Sequence, residues 1–456
     1  MSSLENKSNL PAAEKRALLA EVLRKKISGT RCVPLSFAQQ RLWFLDQLEP
    51  GSASYNISRA VRLNGQLDFQ ALQQALNCIV ARHESLRTNF TSVDDEPLQT
   101  IAPTRVVEIQ VIDLGSLSQS DRELEAGRLA SEAARRPFNL EQDHLLRATV
   151  FRLSAHEHVM LIVLHHIVSD GWSIGVLFRE LETLYEAFAN ACPSPLAPLQ
   201  IQYGDFARWQ RDWLQGPVLE EQINFWKKQL AGAPAVLELA TDKPRPVIQT
   251  FTGAYHITRV GKQLTDSLYE LSRREGVTLF MTLLAVFQIM LHRYTSERDI
   301  VVGTPIANRT RTETEDLIGL FVNTLVLRTD LSGTPSFLEL LGRVRNVALD
   351  AFAHQDLPFE KLVEELQPER SLAHMPLFQI LFALQNVPRS TLRLGSLELS
   401  EFSFAKNTSK LDLSLYIGER PEGLALSFEY NTDLFEAATI ERLAANYQTL
   451  LKGVVE

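Results

Sequence analysis

Two adjacent histidines, His165 and His166, stand shortly before an Asp-Gly pair, Asp170 and Gly171, where a strongly apolar segment gives way to an amphipathic one. An imidazole near neutral pH can take a proton from an attacking nucleophile. An aspartate followed by a glycine suits a tight turn, in which the carboxylate accepts backbone or arginine hydrogen bonds. The cluster could therefore form a site for acid–base chemistry. On these residues alone, a packed core histidine beside an ordinary turn fits equally well.

The segments on either side predict how these residues are positioned. The segment "HVMLIVLHH" is rich in Val, Ile and Leu and predicts a strand that ends at the histidines. Beyond it, apolar residues from Ile174 to Phe188 recur at i, i+3, i+4 and i+7, which predicts an amphipathic helix. Neighbouring side chains of a strand point to opposite faces, so His165 and His166 are not expected to hold a metal ion jointly. One ring should face a cleft while the other packs behind it.

The length of the chain predicts more than one lobe. Its 456 residues exceed the size at which one hydrophobic core usually stops growing. Helical and strand-like patterns alternate in both halves, and the prolines of "NACPSPLAPLQ" (190–200) indicate a linker between them. Residues 1–30 read as a polar leader with one short helix. These patterns predict two α+β halves of similar size.

Composition argues against several classes of protein. The net charge of -9, without a long basic run, argues against a nucleic-acid partner. The longest apolar segment, Val277 to Leu291, is too short for a bilayer and is interrupted by Thr and Gln, so we expect a buried helix and no membrane partner. The cysteines at 32, 78 and 192 are far apart and no secretory leader precedes them. Unpaired thiols in a reducing, cytoplasmic compartment are therefore expected.

The order of several motifs supports a family resemblance. The stretch from His165 to Gly171 resembles the HHxxxDG motif of condensation domains of nonribosomal peptide synthetases. Other segments resemble that family's remaining motifs in the same order, namely "SFAQQRLWFLDQL" (36–48), "RHESLRTNF" (82–90), "YGDFARWQ" (203–210), "IGLFVNTLVLR" (318–328), "HQDLPFEKLVEEL" (354–366) and "MPLFQILFALQN" (375–386). The resemblance runs from about residue 32 to the C-terminus. One HxxxDG occurs in other acyltransferases too, whereas the ordered set is specific.

The resemblance implies an α/β fold, of the α+β two-layer kind, in two lobes. Each lobe is similar to chloramphenicol acetyltransferase, and the two form a V with a central tunnel. We expect an N-terminal lobe at 31–190, which carries the histidine motif, and a C-terminal lobe at 191–456. A floor loop at about 303–319 and a latch at about 387–412 are expected to cross from the second lobe and close the tunnel.

The reaction implied by the resemblance is peptide-bond formation. The α-amine of an acceptor aminoacyl thioester attacks the carbonyl of a donor aminoacyl or peptidyl thioester. Both substrates are carried on the phosphopantetheine of partner carrier domains, upstream and downstream, and an adenylation domain of the same synthetase lies alongside. The chain itself is therefore expected to bind no cofactor. Two other functions stay open, a stand-alone acyltransferase that uses acyl-CoA and a non-catalytic module that docks carrier domains.

The same comparison predicts a subtype. Heterocyclisation relatives replace the histidine motif with an aspartate-based one, whereas both histidines are present here. Epimerisation relatives carry a further C-lobe motif with a catalytic glutamate, which this sequence lacks. The stretches "SFAQQRLWFLDQLEPGSASYNI" and "HHIVSDGWSIGVL" are most similar to the subtype that joins an L-configured donor to an L-acceptor.

The resemblance assigns His166 as the catalytic residue, which orients the amine and takes its proton as the tetrahedral adduct forms. Asp170 is expected to be structural and to pair with an arginine of "RHESLR", either Arg82 or Arg87, of which Arg82 is favoured. Gly171 is expected to leave open space and a backbone N–H near the reacting carbonyl.

Three further residues are implied as supports of the site. His165 is expected to pack or hydrogen-bond behind the strand. Ser173 follows the motif at the start of the helix. Asn323, from "FVNT", is expected to line the tunnel from the second lobe.

Overall fold

The computed structural model describes residues 30–94, 96–369, 371–385, 393–404 and 408–456. The predicted leader and short helix lie outside the described residues, apart from Thr30. Parts of the predicted latch, at 387–392 and 405–407, also lie outside them. Strands and helices are numbered below in chain order.

A six-stranded sheet organises the first half of the chain. In sheet order its strands are β12 (Arg393–Leu394), β13 (Leu397–Glu401), β2 (Asn56–Asn64), β7 (Glu157–His165), β6 (Leu146–Arg152) and β5 (Ile109–Asp113). Neighbours are antiparallel except for β5 and β6, which are parallel. Strand β7, which ends at the histidine pair, is thus central, between β2 and β6.

The second half builds a sheet of its own. In sheet order its strands are β10 (Asn323–Asp330), β9 (Asp299–Ile306), β11 (Ile380–Gln385), β14 (Leu413–Arg420), β15 (Gly423–Asn431) and β8 (Gly253–Gly261). Strand β11 is parallel to both of its neighbours, and the other pairs are antiparallel. A third, three-stranded sheet has the order β1 (Arg31–Pro34), β4 (Glu96–Ile101) and β3 (Thr88–Val93).

Helices cover the two large sheets. They are α1 (Phe37–Leu48), α2 (Phe69–Arg82), α3 (Gln119–Arg135), α4 (Gly171–Ala189), α5 (Tyr203–Trp213), α6 (Gly216–Gln229), α7 (Lys262–Arg274), α8 (Leu279–Thr295), α9 (Thr312–Glu315), α10 (Phe337–Ala353), α11 (Phe359–Leu366) and α12 (Ala437–Gly453). Within the described ranges no single helix is long and apolar enough to cross a membrane; α7 and α8 reach that length only together, across a bend of 104°. The amphipathic helix predicted after Gly171 is confirmed as α4.

Strand β7 is apolar from Val159 to Leu164, where it is covered on both faces. Its even-numbered residues from Met160 to Leu164 pack with α2 and α4, and its odd-numbered residues from Val159 to Val163 pack with α3 and α5 on the other side. The alternation predicted for the histidine segment is therefore present, and it separates the surroundings of neighbouring side chains. A separate core in the second half surrounds the buried helix α8.

Packing changes from one half to the other after α5. The predicted division at 190/191 follows the end of α4, but Tyr203, Phe206 and Ala207 of α5 pack in the core of the first half. Trp226, on α6, is the first buried side chain along the chain that belongs to the core of the second half. Helix α5 therefore belongs with the first half by its contacts, although its sequence follows the proline-rich linker.

Two segments of the second half insert into the first. Residues 317–321 contribute Ile318 to the core beneath α2 and α4, and Leu317, Leu320 and Phe321 to the core on the opposite face of β7. Strand β13 pairs with β2 through residues 398–401 and extends the first sheet. Both segments are therefore part of the packing around the strand and helix that carry the histidine motif. The names floor loop and latch remain predictions for these regions.

Candidate active site

His166 lies where β7 ends and a short 3₁₀ turn, His166–Val168, begins. Its backbone N–H donates to the carbonyl oxygen of Tyr55 at 2.8 Å, which fixes the turn to the start of β2. Its ring nitrogen Nδ1 is 2.8 Å from the carbonyl oxygen of Ser169. A carbonyl can only accept, so Nδ1 carries the proton and donates it there. The ring is partly exposed, and its Nε2 is left as an acceptor.

The charge state of His166 follows from its surroundings. Burial, and next the positive charge of Lys410, lower the pKa of His166 to about 4, against the opposing effect of Asp170. The imidazole is therefore neutral near pH 7. A neutral ring with its proton fixed on Nδ1 can accept a hydrogen bond from an amine without first losing a proton.

His165 has a different environment on the opposite face of the strand. It is 3% exposed, and its Nδ1 accepts the backbone N–H of Ile167 at 3.2 Å. The ring of Phe138 meets it edge-on, with ring centres 6.1 Å apart. Burial, together with the neighbouring charges of His166 and Lys410, lowers the pKa of His165 to about 3. His165 is packed and hydrogen-bonded behind the strand end, in the place expected from strand alternation.

Asp170 caps α4 and joins it to the first inserted segment. Its Oδ1 accepts the backbone N–H of Ser173 at 2.8 Å and the Ser173 hydroxyl at 2.7 Å. Its Oδ2 accepts the backbone N–H groups of Phe321 and Val322 at 2.9 and 3.2 Å. The residue is 1% exposed. Its carboxylate therefore holds the helix start against residues 321–322 and does not face a substrate.

The arginine that pairs with Asp170 is Arg309, from the segment before residue 317. Its Nη2 lies 3.4 Å from Oδ1 of Asp170 and donates to the Ser173 hydroxyl at 2.8 Å. Its Nη1 donates to the carbonyl oxygen of Leu317 at 2.8 Å, and its guanidinium lies 4.0 Å from the ring centre of Phe321. Both side chains of the ion pair are nearly inaccessible to water.

The predicted partners Arg82 and Arg87 are wrong. Arg82 ends α2 and donates to Glu180 of α4 at 2.8 Å, while Arg87 donates to the carbonyl oxygen of Ala102. Both guanidiniums are thus engaged with partners other than Asp170. The neighbouring residue of the same motif, His83, does reach the inserted segment, because its Nδ1 accepts the backbone N–H of Ile318 at 3.3 Å.

Ser173 and Gly171 both lie in the first turn of α4 but have different surroundings. The Ser173 hydroxyl is buried and makes contacts of 2.8 and 3.1 Å with the carbonyl oxygen and N–H of Gly319. Gly171 is exposed, and a Cβ added to it would meet no atom within 4 Å. Ser173 therefore supports the inserted segment, whereas Gly171 borders open space beside the histidine turn.

Asn323 does not offer a free amide to a cleft. Its Nδ2 donates to the carbonyl oxygens of Gln355 and Leu357, both at 2.9 Å, and its Oδ1 accepts the backbone N–H of Phe359 at 3.0 Å. It is 7% exposed. The expectation that it lines a tunnel is corrected: its side chain holds the loop before α11 against the start of β10.

Sequence reasoning missed Arg309 and Lys410. Arg309 is 139 positions from Asp170 in the sequence. It lies in the predicted floor loop, which was expected to cross between the halves, and this was the one indication that it could reach Asp170. Lys410 lies in the predicted latch, and its Nζ is 4.0 Å from the ring centre of Tyr55. No pattern in the sequence distinguished it from a surface lysine.

Comparison with known proteins identifies the family. The family model described as "Condensation domain" matches residues 30–456. One of the proteins that make up the linear gramicidin synthase of Brevibacillus parabrevis is 52% identical over 424 residues, which are 92% of this chain and 6% of that protein. Phosphinothricin tripeptide synthetase PhsC of Streptomyces viridochromogenes is 43% identical over 92% of this chain and 39% of that protein. The chain thus spans less than half of the length of these relatives.

Solved structures agree with the fold. The X-domain from teicoplanin biosynthesis, in its complex with OxyB, is 30% identical with a TM-score of 0.83, and the match covers 93% of both chains. A four-domain nonribosomal peptide synthetase bound to AMP and glycine is 26% identical with a TM-score of 0.84, over 93% of this chain and 33% of that one. The predicted α/β fold of the chloramphenicol acetyltransferase type is confirmed. The chain belongs to the condensation-domain family of nonribosomal peptide synthetases, whose members catalyse amide-bond formation by acyl transfer.

Proposed function

We propose that this domain transfers a donor aminoacyl or peptidyl group from one carrier's phosphopantetheine thioester to the α-amine of an acceptor aminoacyl thioester. The amine nitrogen forms the new C–N bond, the C–S bond to the donor carrier breaks, and the amine proton leaves through His166. The observation that carries the proposal is the hydrogen bond from Nδ1 of His166 to the carbonyl oxygen of Ser169, because it leaves Nε2 unprotonated in a partly exposed position.

The low pKa of His166 limits the ways in which its ring can assist the reaction. An α-amine has a pKa of about 8, so an appreciable fraction is already unprotonated near neutral pH. A ring whose pKa is lowered to about 4 cannot strip a proton from an ammonium ion at equilibrium. It can orient the free amine by accepting a hydrogen bond, and it can take a proton from the far more acidic tetrahedral adduct. Alignment of the two thioesters then supplies much of the acceleration.

The space beside Gly171 suits the other reacting group. Gly171 begins α4 directly after the capping carboxylate of Asp170, and a Cβ added to it would meet no atom within 4 Å. A donor carbonyl could approach the histidine turn through this open space. A proton acceptor at His166 and room for a carbonyl beside Gly171 together suit attack by an amine on a thioester.

The test loads two carrier domains with different L-aminoacyl groups and measures dipeptidyl thioester by mass spectrometry. His166→Ala should lower the rate by roughly 10²–10⁴-fold, the usual value of a general base. His156, which is exposed in the turn between β6 and β7, provides the control, since His156→Ala should leave the rate unchanged. Wild-type activity in His166→Ala, with unchanged folding by circular dichroism, would remove the proposed role.

The partners of the domain and the configuration of its substrates are also proposed on the family resemblance. The partners are an upstream donor carrier, a downstream acceptor carrier and an adjacent adenylation domain, in keeping with the multidomain synthetases that contain similar domains. The donor and the acceptor are both L-configured. Replacing the donor by its D-enantiomer should then reduce product formation, whereas equal rates would argue against the L-donor subtype.

A second candidate, a module that only docks other proteins, is favoured by one relative. The teicoplanin X-domain is described in complex with a second protein, OxyB. Under this alternative no dipeptide forms, and His166→Ala leaves carrier binding unaltered. A third candidate, transfer from a soluble thioester, predicts equal rates with aminoacyl-CoA and with aminoacyl carriers. The same mass-spectrometric assay separates all three.

A further inference from the structure

Lys410 lies over the ring of Tyr55, which adjoins the histidine pair, in a stretch that leads into β14. Its Nζ is 4.0 Å from the ring centre of Tyr55, and the carbonyl oxygen of Tyr55 accepts the backbone N–H of His166 at 2.8 Å. The same tyrosine ring is 6.5 Å from the ring of His165. The backbone carbonyl of Lys410 accepts a hydrogen bond from Gln249 at 2.9 Å, so the main chain is fixed at this point. The side chain is half-buried.

The charged groups around Lys410 come from several elements. Its charge interacts with Arg41 on α1 and with the two histidines, and Glu429 on β15 is the acidic group that favours its charged form. Burial, the largest effect, and the positive charge of Arg41 lower the pKa of Lys410 to about 8 against the opposing effect of Glu429. Lys410 is therefore mostly protonated near pH 7. Its charge lowers the pKa of both histidines.

We propose that Lys410 is a positioning residue that holds a positive charge near His166, so that the acceptor meets the imidazole as a free amine. An ammonium ion placed at His166 would meet this like charge, whereas a neutral amine would not. Only the neutral amine has the electron pair needed to attack a thioester. The inference rests on the condensation reaction proposed above and adds the device that selects the reactive form of the acceptor.

A half-buried positive charge at Lys410 should lower the stability of the folded protein, and this loss can be measured. The pKa of Lys410 is about 8 in the folded protein and near 10.5 when unfolded, so the unfolded state binds more protons between these values. The charged lysine therefore destabilises the folded state below pH 8, and this penalty disappears as the pH rises towards 10.5. Replacing Lys410 by an uncharged side chain of similar length should raise the melting temperature at pH 7. A lysine retained only for its packing would have the opposite effect.

The experiment compares Lys410→Met, Lys410→Arg and the control Lys262→Met, which removes an exposed lysine. The rate of dipeptidyl thioester formation is measured from pH 6 to 9, and the titration of His166 is followed by ¹⁵N NMR. In Lys410→Met the half-maximal rate should move to higher pH by about one unit, a typical effect of a nearby like charge. The pKa of His166 should rise and the melting temperature should increase. Lys262→Met should keep the wild-type pH profile, and Lys410→Arg should keep it up to about pH 8, above which only the arginine retains its charge.

Two results would overturn the inference. One is a Lys410→Met variant whose rate profile and His166 titration both match the wild type. The other is a lower melting temperature in Lys410→Met with a uniform loss of rate at every pH, which indicates a structural role. If the wild type forms no dipeptide, the proposed reaction fails. The His166 titration still decides whether the Lys410 charge acts on the histidine.

Discussion

The turn after β7 joins two regions of opposite character. On one side Asp170, Ser173 and Arg309, which we call the Asp170 network, are buried and hydrogen-bonded to one another and to the inserted main chain. On the other side His166 and Lys410 are only half-buried, and the histidine keeps one ring nitrogen as an acceptor. His166 of one region and Asp170 and Ser173 of the other all lie within residues 166–173.

The difference implies that neighbouring residues of this short stretch have different roles, some in stabilising the fold and others in the reaction. A buried carboxylate with every lone-pair direction used stabilises the fold and is unsuited to proton transfer, because a substrate cannot reach it. A neutral imidazole that is partly accessible contributes little to folding and can meet a substrate. Substitutions in the Asp170 network should therefore lower the free energy of unfolding, whereas substitutions around His166 should lower the rate.

The largest effect is expected for Asp170→Ala. The substitution leaves the buried guanidinium of Arg309 without its carboxylate and removes the acceptor for the N–H groups of Phe321 and Val322. Breaking a buried ion pair in this way typically costs about 3–5 kcal/mol. Denaturant unfolding should show a loss of this size, together with loss of activity.

A matched control is the exposed pair Arg179–Asp316, which also links α4 to the segment that precedes residue 317. Its side chains are 55% and 68% exposed, so Asp316→Ala should change the free energy of unfolding by less than about 1 kcal/mol. Equal losses for Asp170→Ala and Asp316→Ala would contradict the distinction between the two regions.

A double-mutant cycle tests the corrected ion pair. Asp170→Asn and Arg309→Met should be non-additive, with a coupling energy of roughly 1–3 kcal/mol, because the two side chains are in contact. Asp170→Asn and Arg82→Met should add within about 0.5 kcal/mol, since Arg82 pairs with Glu180. The reverse outcome, coupling to Arg82 and none to Arg309, would restore the pairing that the sequence predicted.

The local geometry of the motif could be predicted from the sequence. The apolar run of β7 and the helical spacing from Ile174 onward placed the histidines at a strand end and Asp170 at a helix start. Strand alternation also separated the surroundings of His165 and His166 correctly. Each of these inferences depends on neighbours along the chain, where the periodicity of side chains is a reliable guide.

The long-range partners could not be predicted in the same way. Arg82 and Arg309 are chemically equivalent candidates for Asp170, and the choice depends on how residues 303–322 pass over α4. The family resemblance implied that Asn323 lines a tunnel wall, but its amide is hydrogen-bonded to the main chain at 355–359. Such assignments depend on three-dimensional packing, which cannot be read from the order of motifs along one chain.

Acid sensitivity should differ between the buried His165 and the exposed His156. The pKa of His165 is lowered to about 3, so its stabilising effect is fully present above pH 6.5 and is lost as the pH falls towards 3. His165→Asn keeps an acceptor for the N–H of Ile167. It should reduce the dependence of unfolding free energy on pH in this range by up to about 1.4 kcal/mol per pH unit. The control His156→Asn, at an exposed site, should leave the slope unchanged.

The smallest effect on folding is expected for Gly171→Ala, which tests whether the space beside His166 is used. A Cβ at this position would meet no atom within 4 Å, and alanine favours a helix over glycine by about 0.5–1 kcal/mol. The free energy of unfolding should therefore stay equal or rise slightly.

If a donor carbonyl occupies this space, the added methyl group displaces it and the rate of dipeptide formation should fall by about tenfold or more. Gly342→Ala, which also adds a Cβ in open space on a helix, should have the same effect on stability and none on rate. Equal rates for the wild type and Gly171→Ala would mean that the reacting carbonyl binds elsewhere, and the assignment of the space beside α4 would have to be abandoned.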